Sequence, residues 1–228
     1  MMIKVYHGST IKVRKIDLSK SENLRDFGRG FYTTTIREHA IAWARRQALR
    51  RKANPILTEF DFLVDAFDIE DFKTLRFDKP SREWVEFVLL NRDPNETHPA
   101  HDYDIVEGPI ADDWVTNKII LYEEGKITKE NLIKALTYRE VSHQIAFCTR
   151  LSLQTIEHVE HDFKWDILEI TEAIGYALVQ RGMDLREAEK FLLQSEAFAR
   201  LADEASGLCL LPWTETFGLL LKELPPGT

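Results

Sequence analysis

The stretch Phe27-Gly28-Arg29-Gly30-Phe31-Tyr32-Thr33-Thr34 decides the fold. Its paired glycines punctuate a turn, and the aromatic and β-branched residues behind them suit a strand. The helix that a dinucleotide-binding glycine motif must open does not follow, so a Rossmann unit is excluded. Upstream, Lys12 to Asp26 is polar and without period, which reads as a long surface loop of the kind that often carries function. Before it, Met2-Ile3-Lys4-Val5-Tyr6 reads as a first strand ending at His7-Gly8-Ser9. Downstream, Ala40, Ile41, Trp43, Ala44 and Ala48 recur at helical spacing between Ile36 and Lys52, and Asn54-Pro55 stops that helix.

Farther out, Ile56 to Val64 alternates as a strand. Pro80-Ser81 opens a helix carrying Trp84, Val85, Phe87, Val88 and Leu89; Asn91 to His101 is a loop, and Tyr103 to Val106 a strand. Gly108-Pro109 precedes a helix through Glu123, residues 129–138 are helical, and His143 to Cys148 is a buried strand. Beyond Leu151 the pattern is almost purely helical: Ile167–Gln180, Leu185–Leu201, and a last helix after Pro212. The expectation is an α+β domain over residues 1–154 and a helical module over 155–228.

Composition narrows the class. The chain has 228 residues, 44% hydrophobic and 30% charged, enough to bury a core and too apolar for disorder. Two cysteines, Cys148 and Cys209, fit a reducing cytoplasm, and the start shows no apolar run of a signal peptide. No stretch is apolar and long enough to span a bilayer, so a cytoplasmic protein without membrane contact is expected. The formal net charge of −8 argues against non-specific nucleic-acid binding by the whole molecule. That charge is uneven: residues 155–228 carry 14 acidic and 6 basic side chains, while residues 1–154 balance at 24 of each.

Three short elements stand out in order: His7-Gly8-Ser9, Gly28-Arg29-Gly30-Phe31-Tyr32 and His143-Gln144-Ile145. Singly, each has an ordinary structural explanation. Together they resemble the ADP-ribosyltransferase superfamily, in the diphtheria-toxin-like and poly-ADP-ribose-polymerase-like branch whose triad is His, Tyr and Glu. That branch carries His-Gly-Ser/Thr, then Gly-Lys-Gly-Ile-Tyr-Phe, then a strand beginning Asn-Glu-Tyr-Ile. The whole is similar to uncharacterised bacterial domains of that superfamily fused to a small helical domain. The resemblance implies a split β-sheet core with flanking helices, and NAD⁺ as substrate.

It also implies roles. His7 would hydrogen-bond the adenosine ribose, Gly8 would bring its backbone to the nicotinamide carboxamide, and Ser9 would add a hydroxyl there. Tyr32 would stack on the nicotinamide ring, and Gly28, Gly30 and Phe31 would shape the turn that aims it. Arg25, with Arg14 and Lys15 on the long loop, would meet the pyrophosphate. The departure is Gln144, which stands where the family has its catalytic glutamate: an amide makes the hydrogen bond but lacks the charge that stabilises an oxocarbenium-like transition state.

Three readings follow. Gln144 is the working residue of a mono-ADP-ribosyltransferase; another acid substitutes, with Glu107 first among Asp102, Asp104, Glu107, Asp112 and Asp113; or the cleft binds NAD⁺ or an ADP-ribose-like ligand without turnover. Gln144→Glu is expected to raise NAD⁺ cleavage if the site is a weakened enzyme. The acidic run has a plainer explanation too, since proline and acids suit a helix start.

Arg45, Arg46, Arg50, Arg51 and Lys52 suit a helix C-terminus, and the histidine pairs His98/His101 and His158/His161 lack partners at metal-ligand spacing, so no metal is expected. Cys148 reads as core rather than nucleophile. The favoured expectation is a toxin-like bacterial mono-ADP-ribosyltransferase acting on an unidentified protein or nucleic acid. Its acidic tail, residues 155–228, would cover the cleft or dock a partner, in the manner of a toxin fused to its restraint.

Overall fold

The computed structural model describes residues 1–111, 113–137, 142–160 and 163–224. Among the described residues seven strands form two sheets. The first is three-stranded, β1 (Met2–Ser9), β3 (Ile56–Leu63) and β7 (Ile156–Val159) in the order β1-β3-β7. The second holds β2 (Phe31–Thr33), β4 (Thr74–Arg76), β5 (Ile105–Pro109) and β6 (His143–Phe147) in the order β2-β6-β5-β4. Within it β6 runs antiparallel to both β2 and β5, and β4 parallel to β5. A bridge joins Tyr6 of β1 to Thr34, just past β2: each backbone amide donates to the other's carbonyl, at 2.8 and 3.0 Å. The fold is α+β, two sheets flanked by helices, followed by a helical segment.

The helices are α1 (Arg37–Arg51), α2 (Arg82–Arg92), α3 (Asp113–Glu123) and α4 (Lys129–Thr137), then α5 (Lys164–Gln180), α6 (Leu185–Gln194), α7 (Glu196–Ala202) and α8 (Trp213–Leu220). Local chemistry sets their ends. Ser81 begins α2 by accepting from the Trp84 amide at 3.2 Å, and Asp184 begins α6 by accepting from the Arg186 amide at 2.9 Å. The continuous helix expected over Leu185–Leu201 is two. Ser195 breaks it, donating its hydroxyl to the Leu192 carbonyl and accepting from the Phe198 amide, which stops one helix and caps the next. The purely helical reading beyond Leu151 is also corrected, because Ile156–Val159 is strand β7.

Two apolar clusters lie on opposite faces of the second sheet. Phe31, Ile105, Ile145 and Phe147 join Val5, Phe60, Phe62 and Ile156 on one side. Val106 and Ala146 join Phe27, Trp84, Val85 and Val88 on the other, with Val115 and Ile119 of α3 and Leu132 and Leu136 of α4. Buried on both faces, β6 reads as an unbroken apolar run after Gln144. Each fully buried large apolar side chain contributes roughly 1.5–3 kcal/mol of transfer free energy.

By contact the chain divides into two compact units. One comprises Met1–His7, Val13–His39 and Phe60–Val159; the other comprises Gly8–Lys12, Ala40–Glu59 and Glu160–Thr228. In the second unit Ile174, Leu178, Ala188, Leu192, Leu201 and Leu220 are buried, as are Ala40, Ala44 and Ala48 along α1. Lys12 bridges Glu160 and Glu204 there, at 2.6 and 2.8 Å. Among the described residues no helix is long and apolar enough to cross a membrane.

Candidate functional site

The glycine turn is fastened from several sides. Tyr32 follows it on β2, and its hydroxyl donates to the Gly28 carbonyl at 2.7 Å while accepting from the Phe27 amide at 3.0 Å. Burial, and next the charge of Asp26, push the Tyr32 phenol well above its ordinary range, so it works as a neutral donor. His101 Nδ1 accepts from the Tyr103 amide, which puts the proton on Nε2, and that nitrogen donates to the Phe27 carbonyl at 3.0 Å. Gly28 adopts φ +70, and a Cβ on it would stand 2.7 Å from Oδ1 of the buried Asn91. A Cβ on Gly30 would meet the Phe147 carbonyl oxygen at 3.1 Å. Both glycines are therefore explained by packing. Arg29 donates to the Ser19 and Ser21 carbonyls at 2.8 and 3.2 Å and holds the long loop against the turn.

Beside the turn lies a buried polar knot. Asp26 Oδ2 accepts from Gln144 Nε2 at 2.7 Å and from the Ala111 amide at 3.0 Å. Its Oδ1 accepts from Arg92 Nε at 3.0 Å, and from the same guanidinium a second time. Tyr32 pairs with Ala146 and Gln144 with Gly108 in register, so the strand pleat puts Tyr32 and Gln144 on one face of the sheet. The pleat turns Glu107 to the other face, opposite Ile145, where Arg76 Nε donates to it at 2.7 Å. Glu107 therefore does not join Tyr32 and Gln144. Asp104 is also engaged elsewhere, accepting from the Lys73 amide at 2.9 Å and from the Thr149 hydroxyl. Exposed Asp102 pairs with Lys73. Asp112 lies outside the described residues, as does the side chain of Asp113.

His7, at the end of β1, reaches β2. Its Nδ1 bonds the Tyr32 carbonyl at 2.7 Å, and since a carbonyl only accepts, Nδ1 carries the proton and Nε2 is an acceptor. Burial lowers the His7 pKa against the opposing effect of that bond, so the ring is neutral. Its face lies 4.5 Å from the ring of Phe31, which points into the core opposite Tyr32.

The other expected residues take different surroundings. A Cβ on Gly8 would lie 1.9 Å from the Ala40 carbonyl oxygen, so a backbone-to-backbone approach of α1 requires that glycine. The Ser9 hydroxyl donates to the Ile11 carbonyl at 2.6 Å and closes a local turn. Arg25 pairs with Glu22. On the long loop Lys15 and Lys20, with Arg150 and Leu153, line an open depression of about 600 Å³. Arg45 donates to the Leu210 carbonyl at 2.7 Å. His98 bonds the Asp93 carbonyl, and His161 lies outside the described residues. Among the described residues no group of three His, Cys, Asp or Glu converges as metal ligands would. Burial pushes the Cys148 thiol up to about 12, which leaves it protonated at neutral pH.

Asp26, Arg92 and His101 are the residues that sequence reasoning passed over. Asp26 adjoins the glycine turn and so was within reach, but an aspartate before a turn is commonplace. Arg92 lies 66 residues farther along, and nothing in its local sequence ties it to Asp26.

A family model described as "Protein of unknown function (DUF3990)" matches residues 3–158. No curated protein and no solved structure matches the chain. The matched span runs from β1 through β7 and holds every residue of the turn and of the polar knot, and on that match the chain belongs to the DUF3990 family.

Proposed function

We propose that the protein is an NAD⁺-dependent mono-ADP-ribosyltransferase, a toxin-like cytoplasmic effector. A nucleophile of a macromolecular acceptor attacks C1′ of the nicotinamide ribose. The C1′–N bond breaks, nicotinamide leaves with its electron pair, and the acceptor gives up a proton. The observation that carries this reading is the coupling of His7, Tyr32 and Gln144. Nδ1 of His7 is bonded to the Tyr32 backbone, and Tyr32 shares a sheet face with Gln144. His7 Nε2 and Gln144 Oε1 are two acceptors with no partner among the described residues. Two neutral acceptors suit ribose hydroxyls, which donate. The cations Lys15, Lys20 and Arg150 around the depression suit an anionic ligand or acceptor.

The second reading is a module that binds NAD⁺ or ADP-ribose without turnover. It is favoured by Arg92, whose ion pair with Asp26 offsets the charge of the carboxylate bonded to Gln144, a charge that would otherwise favour an oxocarbenium ion. Calorimetry with NAD⁺ tests both. We expect binding by the wild type that His7→Ala weakens at least tenfold. Release of nicotinamide then marks the transferase, and its absence marks the module. A folded wild type that ignores NAD⁺ sinks both.

A further inference from the structure

We infer that Asp26 and Arg92 form a positioning pair that locks the carboxamide of Gln144, so that the position is built for an amide and rejects the glutamate it resembles. Both groups that face the Gln144 nitrogen are acceptors: Asp26 Oδ2 at 2.7 Å and, more distantly, the Pro109 carbonyl at 3.5 Å. The nitrogen must therefore point at Asp26, and Oε1 must point away as an acceptor. Asp26 cannot turn to release it, because the Arg92 guanidinium and the Ala111 amide hold its two oxygens. The order of constraint runs from Arg92 on α2 to Asp26 beside the glycine turn, and then to Gln144 on β6. One hydrogen-bond direction is thereby fixed from an element the residue itself does not belong to.

A carboxylate at position 144 would set two anions at the 2.7 Å now spanned by a hydrogen bond. Like charges so close cannot both ionise without penalty, and one pKa must rise. Among the described residues, the charged and titratable groups near this position include Asp26, Arg92 on α2, Tyr32 on β2, and His143 and Cys148 along and beyond β6. The Arg92 guanidinium donates to Oδ1 of Asp26, the oxygen that Gln144 does not use. Gln144→Glu is therefore expected to cripple the site rather than activate it. Asp26→Asn removes one of the two anions, at the cost of the bond that Oδ2 accepts from the Ala111 amide, and is expected to abolish the pH dependence of the defect.

The sign follows from linkage. A glutamate whose folded pKa is raised above its ordinary value costs nothing below that value, and its cost is complete above the raised pKa. Thermal melts of the wild type, Gln144→Glu and Asp26→Asn/Gln144→Glu at pH 5 and pH 8 provide the test. We expect Gln144→Glu to melt ~5 °C or more below the wild type at pH 8, with the gap narrowing at pH 5. In the double variant the gap is not expected to depend on pH. A Gln144→Glu gap equal at both pH values, or the same pH-dependent gap in the double variant, would overturn the inference.

The role of Oε1 toward a ribose hydroxyl rests on the NAD⁺ reading above, but the melts need no ligand. Coupling without NAD⁺ binding would sink only the ligand reading. NAD⁺ binding without coupling would sink only the positioning pair.

Discussion

Tyr32 and His7 show how one residue serves the fold and the candidate site at once. The Tyr32 hydroxyl ties the chain back on itself across Phe27 and Gly28, and its carbonyl fixes the His7 ring. His7 in turn makes stability depend on pH. Its pKa is lowered in the folded state, so the unfolded chain binds its proton first as the pH falls. The contribution is complete above the ordinary histidine value of about 6.5 and is lost as the pH drops from there toward the folded value. Denaturant melts between pH 7.5 and pH 5 are expected to show wild-type stability falling faster than that of His7→Gln. Parallel curves would contradict a ring held neutral by the fold.

At the scale of elements, the approach of α1 to Gly8 is fixed by the absence of a single carbon. Gly8 lets the α1 backbone at Ala40 come within 1.9 Å of where a Cβ would stand, and the small residues Ala40, Ala44 and Ala48 keep that side of the helix thin. A carbonyl oxygen in a helix cannot move aside as a flexible side chain can. Gly8→Ala is therefore expected to cost about 3 kcal/mol, at the upper end for overpacking, and to lower Tm by roughly 6–12 °C. Scanning calorimetry reads this directly, and a Tm within a degree of the wild type would refute the close approach. Strand β6 carries the complementary lesson. Its alternate residues feed two different cores, and Gln144 takes its polar partners where that double burial begins.

In the molecule as a whole the acidic C-terminal segment shares a compact unit with Gly8–Lys12 and with Ala40–Glu59. Two cations from before residue 60 serve it: Lys12 pairs with Glu160 and Glu204, and Arg45 donates to the Leu210 carbonyl. A chain ended after Val159 would strip α1 and Lys12 of these partners. We expect such a chain to lose cooperative unfolding or to aggregate, as size-exclusion chromatography with thermal melts will show. A truncated chain that melts cooperatively at the wild-type temperature would contradict this. The restraint idea is better tested in the full chain by Glu160→Gln/Glu204→Gln, which removes the carboxylate charges and leaves the helices in place.

The alternation of apolar residues, the glycine turn and the helix-capping chemistry are local, so the sequence by itself determined the α+β class, most strands and helices, and the order of His7, Tyr32 and Gln144. Short β4 and β7 escaped because three or four residues carry too little period, and the break at Ser195 because a serine inside an apolar helical pattern is ambiguous until its hydroxyl finds partners. Only the tertiary structure decided which face Glu107 takes, why Gly8 is a glycine, and that Gln144 is bound to Asp26 and through it to Arg92. Those facts depend on strand register and on pairs far apart in the chain. A carboxylate has no local signature for the guanidinium that will neutralise it until folding brings the two together.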